Sequence, residues 1–123
     1  MGSEMCIRDR NNTSTTRKED LTHRFYTLMM DNYREHKEVI FYADKLHVSS
    51  KYLSEVVKET SGKSPKDWII DYSLLEIKEL LKNSSLNIQE ITIRTKFLNQ
   101  SALGRFFKRH TNMSPSEYRE STY

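Results

Sequence analysis

The chain repeats itself. Ser64-Pro65-Lys66-Asp67-Trp68 returns fifty residues later as Ser114-Pro115-Ser116-Glu117-Tyr118, and Leu53, Val57, Lys58 and Gly62 map on to Leu103, Phe107, Lys108 and Asn112. Upstream, Ala43, Leu46 and Val48 map on to Thr92, Thr95 and Phe97 at a separation of forty-nine, so the turn of the second copy carries one inserted residue. A duplicated segment must use one local design twice, and the punctuation of each copy says which design.

That punctuation is helical throughout. Thr16 with Glu19 three residues on reads as a capping box, followed at helical spacing by Leu21, Phe25, Leu28, Met29 and Asn32, which predicts a first helix to about His36. Val39 to Leu46 predicts a short second helix with Ile40, Ala43 and Leu46 on one face. Val48-Ser49-Ser50 turns the chain, and either serine serves as cap for a third helix that carries Tyr52, Leu53, Val56 and Val57 inward. Gly62 stops it. Ser64 and Pro65, with Asp67 in the first turn, open a long fourth helix bearing Trp68, Ile69, Tyr72, Leu75, Leu80 and Leu81 as far as Asn83-Ser84-Ser85. Asn87 and Glu90 open a fifth, Phe97 to Asn99 forms a turn, a sixth holds Leu103, Phe106 and Phe107, and Ser114-Pro115-Ser116-Glu117 opens a last short one. No useful stretch alternates with period two, so the expected class is all-α: a seven-helix bundle of two helix-turn-helix subdomains joined by a long linker helix. The expected boundaries are a disordered tail at 1–15, a first subdomain at 16–64, the linker at 65–83 and a second subdomain at 84–123. The tail lacks any apolar period and is rich in Asn, Ser and Thr; Met1 to Arg10 resembles translated cloning sequence rather than native chain.

Each copy is thus a short helix, a turn and a second helix with one polar face, the pattern of a helix-turn-helix. On the sixth helix that face carries Gln100, Ser101, Arg105, Lys108 and Arg109, amides and hydroxyls able to read base edges beside cations able to bind phosphate. On the third it carries Ser50, Lys51, Ser54, Glu55 and Lys58, polar but close to neutral. The second copy is expected to supply more electrostatic attraction and the first more hydrogen-bond selectivity. A linker from Pro65 to Lys82 is about 27 Å long at 1.5 Å per residue. That suits recognition helices held near the ~34 Å separation of successive major-groove faces.

Composition removes the competing classes. The 123 residues include 3 Gly and 1 Cys, and only Gly62 and Gly104 lie in the body of the chain, so no Gly-rich loop cradles a phosphate or dinucleotide. The lone Cys6 rules out a disulfide framework. His23, His36, His47 and His110 are too far apart in sequence for a close-spaced zinc motif and read as surface residues, so neither cofactor nor metal is expected. There is no nucleophile elbow and no pair of titratable groups suited to catalysis. The longest apolar run, Val39 to Ala43, is five residues, against the ~20 needed to span a bilayer, and no apolar segment follows the early arginines as in a secretion signal. A cytoplasmic protein with no membrane partner is expected. The net charge of +3 permits an anionic partner without requiring one.

The segment from about Asp20 to Arg119 resembles the AraC/XylS family of bacterial transcription regulators. The motifs are Tyr42-Ala43-Asp44-Lys45-Leu46 ahead of Val48-Ser49, then Ser64-Pro65, and above all Phe106-Phe107-Lys108-Arg109 through Ser114-Pro115-Ser116-Glu117-Tyr118-Arg119. The resemblance implies a seven-helix domain that binds double-stranded promoter DNA. Such a domain is usually the carboxy-terminal part of a longer regulator with an upstream effector or dimerisation domain, and RNA polymerase is a partner. Its base-facing positions fall on Lys51, Ser54 and Glu55 in the first copy and Gln100, Ser101, Gly104 and Arg105 in the second. Around them the full expected DNA-binding set adds Ser50, Lys58, Asn99, Lys108 and Arg109.

Departures from the family pattern gather in the second copy. Thr92 stands where a small Ala is usual, Thr95 where Leu is, Lys96 where Gly or Asn makes the turn, Ala102 for an aromatic and Asn112 for Gly. Each threonine can bond back to a helix carbonyl, but a buried hydroxyl without a partner costs ~1–3 kcal/mol, and a lysine is strained if that turn keeps a positive φ. Asn112 tolerates the left-handed cap. Trp68, Phe106, Phe107 and Tyr118 fall on apolar stripes and read as core rather than base-stacking platforms. Glu55 reads either as an acceptor for a cytosine amino group or as an exposed helix acid. Tyr42 and Asp44 read either as a polymerase-contacting surface or as a solvent-facing edge. The expected function is sequence-specific DNA binding in a promoter regulator, without catalysis. The rival from another class is a helical protein-interaction module whose reading helices have decayed.

Overall fold

The computed structural model describes residues 13–121, and every regular element in that span is helical. The helices are α1 (Thr13–Asn32), α2 (Val39–Lys45), α3 (Ser50–Ser61), α4 (Pro65–Asn83), α5 (Ile88–Arg94), α6 (Gln100–Thr111) and α7 (Pro115–Glu120). The expected tail is shorter than 1–15, because α1 already includes Thr13 to Thr15; the remainder of that tail lies outside the described residues. Thr16 is therefore interior to α1 and not its cap. The same helix ends four residues before His36, where the Asn32 side-chain amide folds back to donate to the Leu28 carbonyl at 2.8 Å.

The remaining caps follow the punctuation. Ser49, not Ser50, caps α3 by accepting from the Tyr52 N–H at 3.0 Å, and Ser64 caps α4 by accepting from Asp67 at 3.2 Å. Asn87 with Glu90 and Ser114 with Glu117 each form a complete capping box, satisfying orphan N–H groups at the starts of α5 and α7. At the other ends, Gly62 (φ 88°) and Asn112 (φ 64°) are left-handed caps for α3 and α6.

The chain divides into two compact units, one up to Ile69 and one from Ile70, so the boundary falls inside α4. In the first unit Leu21, Phe25 and Met29 of α1 are buried, as are Tyr42, Ala43 and Leu46 of the α2 region and Leu53, Val56 and Val57 of α3. Ile69 adds the first turns of α4 to that core. Phe25 and Tyr42 meet edge to face at 5.4 Å, and Trp68 packs on Tyr26 while donating its Nε1–H to Ser61 Oγ at 2.9 Å. In the second unit Leu74, Ile77 and Leu81 of α4 cluster with Ile91, Leu103 and Phe107, with Phe97, Phe106 and Tyr118 packed against them. Trp68, Phe106, Phe107 and Tyr118 are thus packing residues.

Three of the positions expected to face the core do not point inward. Ile40 is 60% exposed, Leu75 59% and Tyr52 46%. On α2 the buried face passes through Tyr42 and Ala43 instead of Ile40, because a seven-residue helix has room for one narrow seam. Tyr42 is wholly buried, its hydroxyl donating to the His36 carbonyl at 2.6 Å, so it forms no docking surface; Asp44 beside it is exposed. Burial, with Glu38 nearby, pushes the Tyr42 hydroxyl well above the usual phenol range.

Arg119 explains the end of the family signature. Its guanidinium donates to the carbonyls of Leu81 at 2.9 Å and Leu86 at 2.5 Å, with Leu80 at 3.3 Å. A cation thereby satisfies free carbonyls at the C-terminus of α4 and ties α7 to it.

Candidate nucleic-acid interface

Both turns are built the same way on unlike residues. In the first copy Leu46 follows α2, His47 takes φ 61°, and the Val48 N–H bonds to the Ala43 carbonyl at 3.0 Å. In the second, Thr95 follows α5, Lys96 takes φ 64°, and the Phe97 N–H bonds to Thr92 at 3.1 Å. The left-handed demand expected at Lys96 is present, and His47 shares it. A non-glycine residue in that region costs roughly 1–2 kcal/mol. His47 is thus a structural turn residue, a role that the alignment of the two copies signalled through its equivalence with Lys96.

The two buried threonines carry no unsatisfied hydroxyl. Thr92 Oγ1 donates to the Ile88 carbonyl at 2.8 Å and Thr95 Oγ1 to Ile91 at 2.7 Å, each one helical turn back. The cost expected of an unpartnered hydroxyl is therefore not incurred. Ala102 is also benign to the core, since its counterpart Tyr52 is itself largely exposed.

The caps and turns set both reading helices at the same phase. On α3 the stripe is Lys51, Ser54, Glu55 and Lys58; on α6 it is Ser101, Gly104, Arg105 and Lys108, position for position fifty residues on. Spacings of three, four and seven residues place each set on one helix face. Lys51, Glu55, Lys58, Ser101, Arg105 and Lys108 are exposed, with Ser54 and Gly104 half-buried. Beside these stripes, Ser50 opens α3 half-buried and exposed Arg109 extends the cationic face of α6. Lys51, Glu55, Lys58, Arg105 and Arg109 make no side-chain hydrogen bond or salt bridge with another described residue, leaving their charged ends available. Lys108 helps the Ser114 backbone N–H, the larger influence, hold the Glu117 carboxyl below its usual range.

Two expected site residues have prior engagements. Asn99 caps α6, its side-chain oxygen accepting from the Ala102 N–H at 2.8 Å, so only its amide NH2 is free to face a ligand. Gln100 donates to the side-chain oxygen of Gln89 on α5 at 2.5 Å, which orients its own carbonyl. Gly104 lies within α6, and a Cβ built there meets nothing within 4 Å, so the fold does not require glycine. The inserted residue of the second turn is Leu98: Val48 leads directly to the Ser49 cap, whereas Leu98 separates Phe97 from the Asn99 cap.

The stripes differ in charge. Lys51 and Lys58 against Glu55 leave one positive charge on α3, while Arg105 and Lys108 leave two on α6. At the next position Glu59 is taken up by Lys18 of α1 at 3.2 Å, whereas Arg109 stays unpaired. Among the described residues no helix is long and apolar enough to cross a membrane, and no group of three or more His, Cys, Asp or Glu is placed to hold a metal ion.

Comparison with known proteins places these features. A family model described as a helix-turn-helix domain matches residues 42–121. The chain is 32% identical over 77 residues to an uncharacterised HTH-type transcriptional regulator, YobQ, of Bacillus subtilis, covering 63% of this chain and 32% of that protein. It spans about a third of the length of the first of these curated relatives. Among solved structures, the C-terminal domain of AraT, a response regulator from Geobacillus stearothermophilus, superposes with a TM-score of 0.74 at 25% identity, over 83% of this chain and 85% of that one. The DNA-binding domain of AdpA, solved in complex with a target DNA, gives 0.68 at 23% identity, over 80% and 88%. With two capped helices on matching turns and a family model covering most of the chain, the protein belongs to the AraC-type helix-turn-helix family, whose fold is that of transcription regulators.

Proposed function

We propose that the chain is the DNA-binding part of a bacterial promoter regulator and reads duplex DNA sequence-specifically through α3 and α6. The observation that carries this reading is the pair of equivalent polar stripes, each presented by a capped helix, whose Lys51, Glu55, Lys58 and Arg105 side chains make no hydrogen bond or salt bridge with another described residue. Lys51, Lys58, Lys108 and Arg109 supply phosphate contacts; Ser54, Gln100, Ser101 and Arg105 face base edges, with Glu55 an exposed acid on the same stripe and Ser50 and Asn99 at the helix starts. Gly104 leaves space for close approach of the duplex. The relative solved with its target DNA supports the same assignment. Control of transcription follows from recruiting or blocking RNA polymerase, in the cytoplasm and without catalysis. The shortness of the chain against its relatives supports an effector or dimerisation domain elsewhere in the full regulator.

Selection of binding sites from a random duplex pool, followed by affinity measurement at two salt concentrations, tests the proposal. Two enriched boxes about one helical turn apart are expected, with log affinity falling by ~0.9 per phosphate contact for each unit of log salt. One box limits specific reading to a single copy. No enrichment overturns the proposal in favour of a helical protein-interaction module.

A further inference from the structure

Leu98 is the most exposed large hydrophobic residue among those described, at 90%. It is also the one residue by which the second turn exceeds the first. The turn closes without its side chain: the Phe97 N–H reaches the Thr92 carbonyl, and Asn99 caps α6. Nothing in the fold therefore accounts for a leucine there. Phe97 before it turns into the core of its unit, and Lys96, Asn99, Gln100 and Ser101 around it are exposed and polar, so no other exposed apolar residue adjoins the leucine in the turn.

Leu98 stands immediately before the N-cap of the more cationic reading helix. The first residues of such a helix are the ones that approach base edges. The single apolar feature of the major-groove edges is the 5-methyl group of thymine. Resting on the DNA-reading assignment above, we infer that Leu98 is a specificity residue peculiar to the second copy, making an apolar contact with a thymine methyl at the edge of the α6 half-site. An exposed leucine gains by leaving water only where its partner is apolar; a phosphate or a cytosine edge offers it nothing.

The test uses the domain and its selected duplex. Each thymidine is replaced in turn by deoxyuridine, which removes only the methyl group, and both wild type and Leu98→Ser are measured on every duplex. Wild type is expected to lose about fourfold in affinity at one thymine, the worth of a single methyl group. Leu98→Ser is expected to lose about tenfold on the unmodified duplex and to be indifferent to uridine at that position. Its melting temperature should match wild type, because the side chain packs against little. Wild-type affinity in Leu98→Ser, uridine sensitivity that survives the substitution, or a wild type sensitive to uridine nowhere would each overturn the inference while leaving sequence-specific reading intact. If wild type selects no site at all, the DNA-reading assignment falls and this contact with it.

Discussion

The two stripe-bearing helices, α3 and α6, share their length, phase and cap geometry, yet the polar faces they present differ in chemistry. The α3 stripe places Glu55 between Lys51 and Lys58, so its charge partly cancels the two lysines. On α6 the same position is Arg105, with Lys108 and Arg109 beyond it and no acid on the stripe. The comparison teaches that turn geometry and reading chemistry vary independently: both turns hold a positive-φ residue at nearly the same angle while the stripes they present differ in charge. Packing also differs. The α3 core is aliphatic, through Leu53, Val56 and Val57, whereas α6 buries Phe107 against Leu103 and Tyr118.

The largest effect that sharpens the comparison is in the cores. Phe107→Ala should cost about 3–5 kcal/mol, against about 2 kcal/mol for Val57→Ala at the equivalent position. Chemical denaturation of both variants checks this, and equal losses would mean that the aromatic cluster adds nothing over aliphatic packing. Next comes DNA binding. Arg105→Ala should weaken binding to a selected site by ~1–3 kcal/mol, while Glu55→Ala should leave affinity equal or improved through lost repulsion. Titration of both on selected and scrambled duplexes decides it; a uniform loss for Arg105→Ala on every sequence would make that residue a phosphate contact, and a large loss for Glu55→Ala would make the acid a base reader.

Smaller effects probe what the copies share. His47→Gly and Lys96→Gly should each stabilise by about 0.5–1 kcal/mol, since relief of the left-handed backbone exceeds the entropy that glycine adds to the unfolded chain. Unequal gains in thermal melts would show that one turn is held differently from the other. The smallest effect concerns acid. The Glu117 carboxyl is held below its ordinary 4.5, chiefly by the Ser114 N–H and then by Lys108. Its contribution is therefore present above the ordinary value and lost as pH falls through the lowered one. Glu117→Gln keeps the return hydrogen bond of the capping box and removes the titration, so its stability should fall less steeply than that of wild type as pH drops below the ordinary carboxylate range. Parallel curves in the two proteins would remove the carboxylate from the account.

Much of this was legible because local chemistry dictated it. Serine or asparagine before a helical period, proline at the first helical position and Gly62 or Asn112 at the end are short-range signals, and the caps at Ser64, Asn87, Ser114 and Asn112 follow from them, whereas Ser49 and Ser50 remained equivalent candidates for α3 until the structure chose Ser49. The start of α1 was not legible: the run around Thr13 to Thr16 has no apolar period, and the capping pattern at Thr16 lies inside a helix that begins earlier. Nor did periodicity alone reveal that Ile40, Leu75 and Tyr52 face outward, because an apolar residue at the edge of a stripe is buried only if a neighbouring element covers it.

The candidate site divides along the same line. Equivalence of the two copies was enough to place Lys51, Ser54, Glu55 and Lys58 on one face and Ser101, Gly104, Arg105 and Lys108 on another, since helical spacing is a property of the chain itself. Tertiary structure decided which of the named residues are engaged elsewhere: Asn99 in a cap, Gln100 with Gln89, Glu59 with Lys18 and Arg119 at the end of α4. It also buried Tyr42, whereas the hydroxyls of Thr92 and Thr95 found their partners locally, one helical turn back. The physical reason is range. Capping, periodicity and turn chemistry act over a few residues and can be read from order alone, whereas the accessibility of a side chain depends on which groups folding brings beside it.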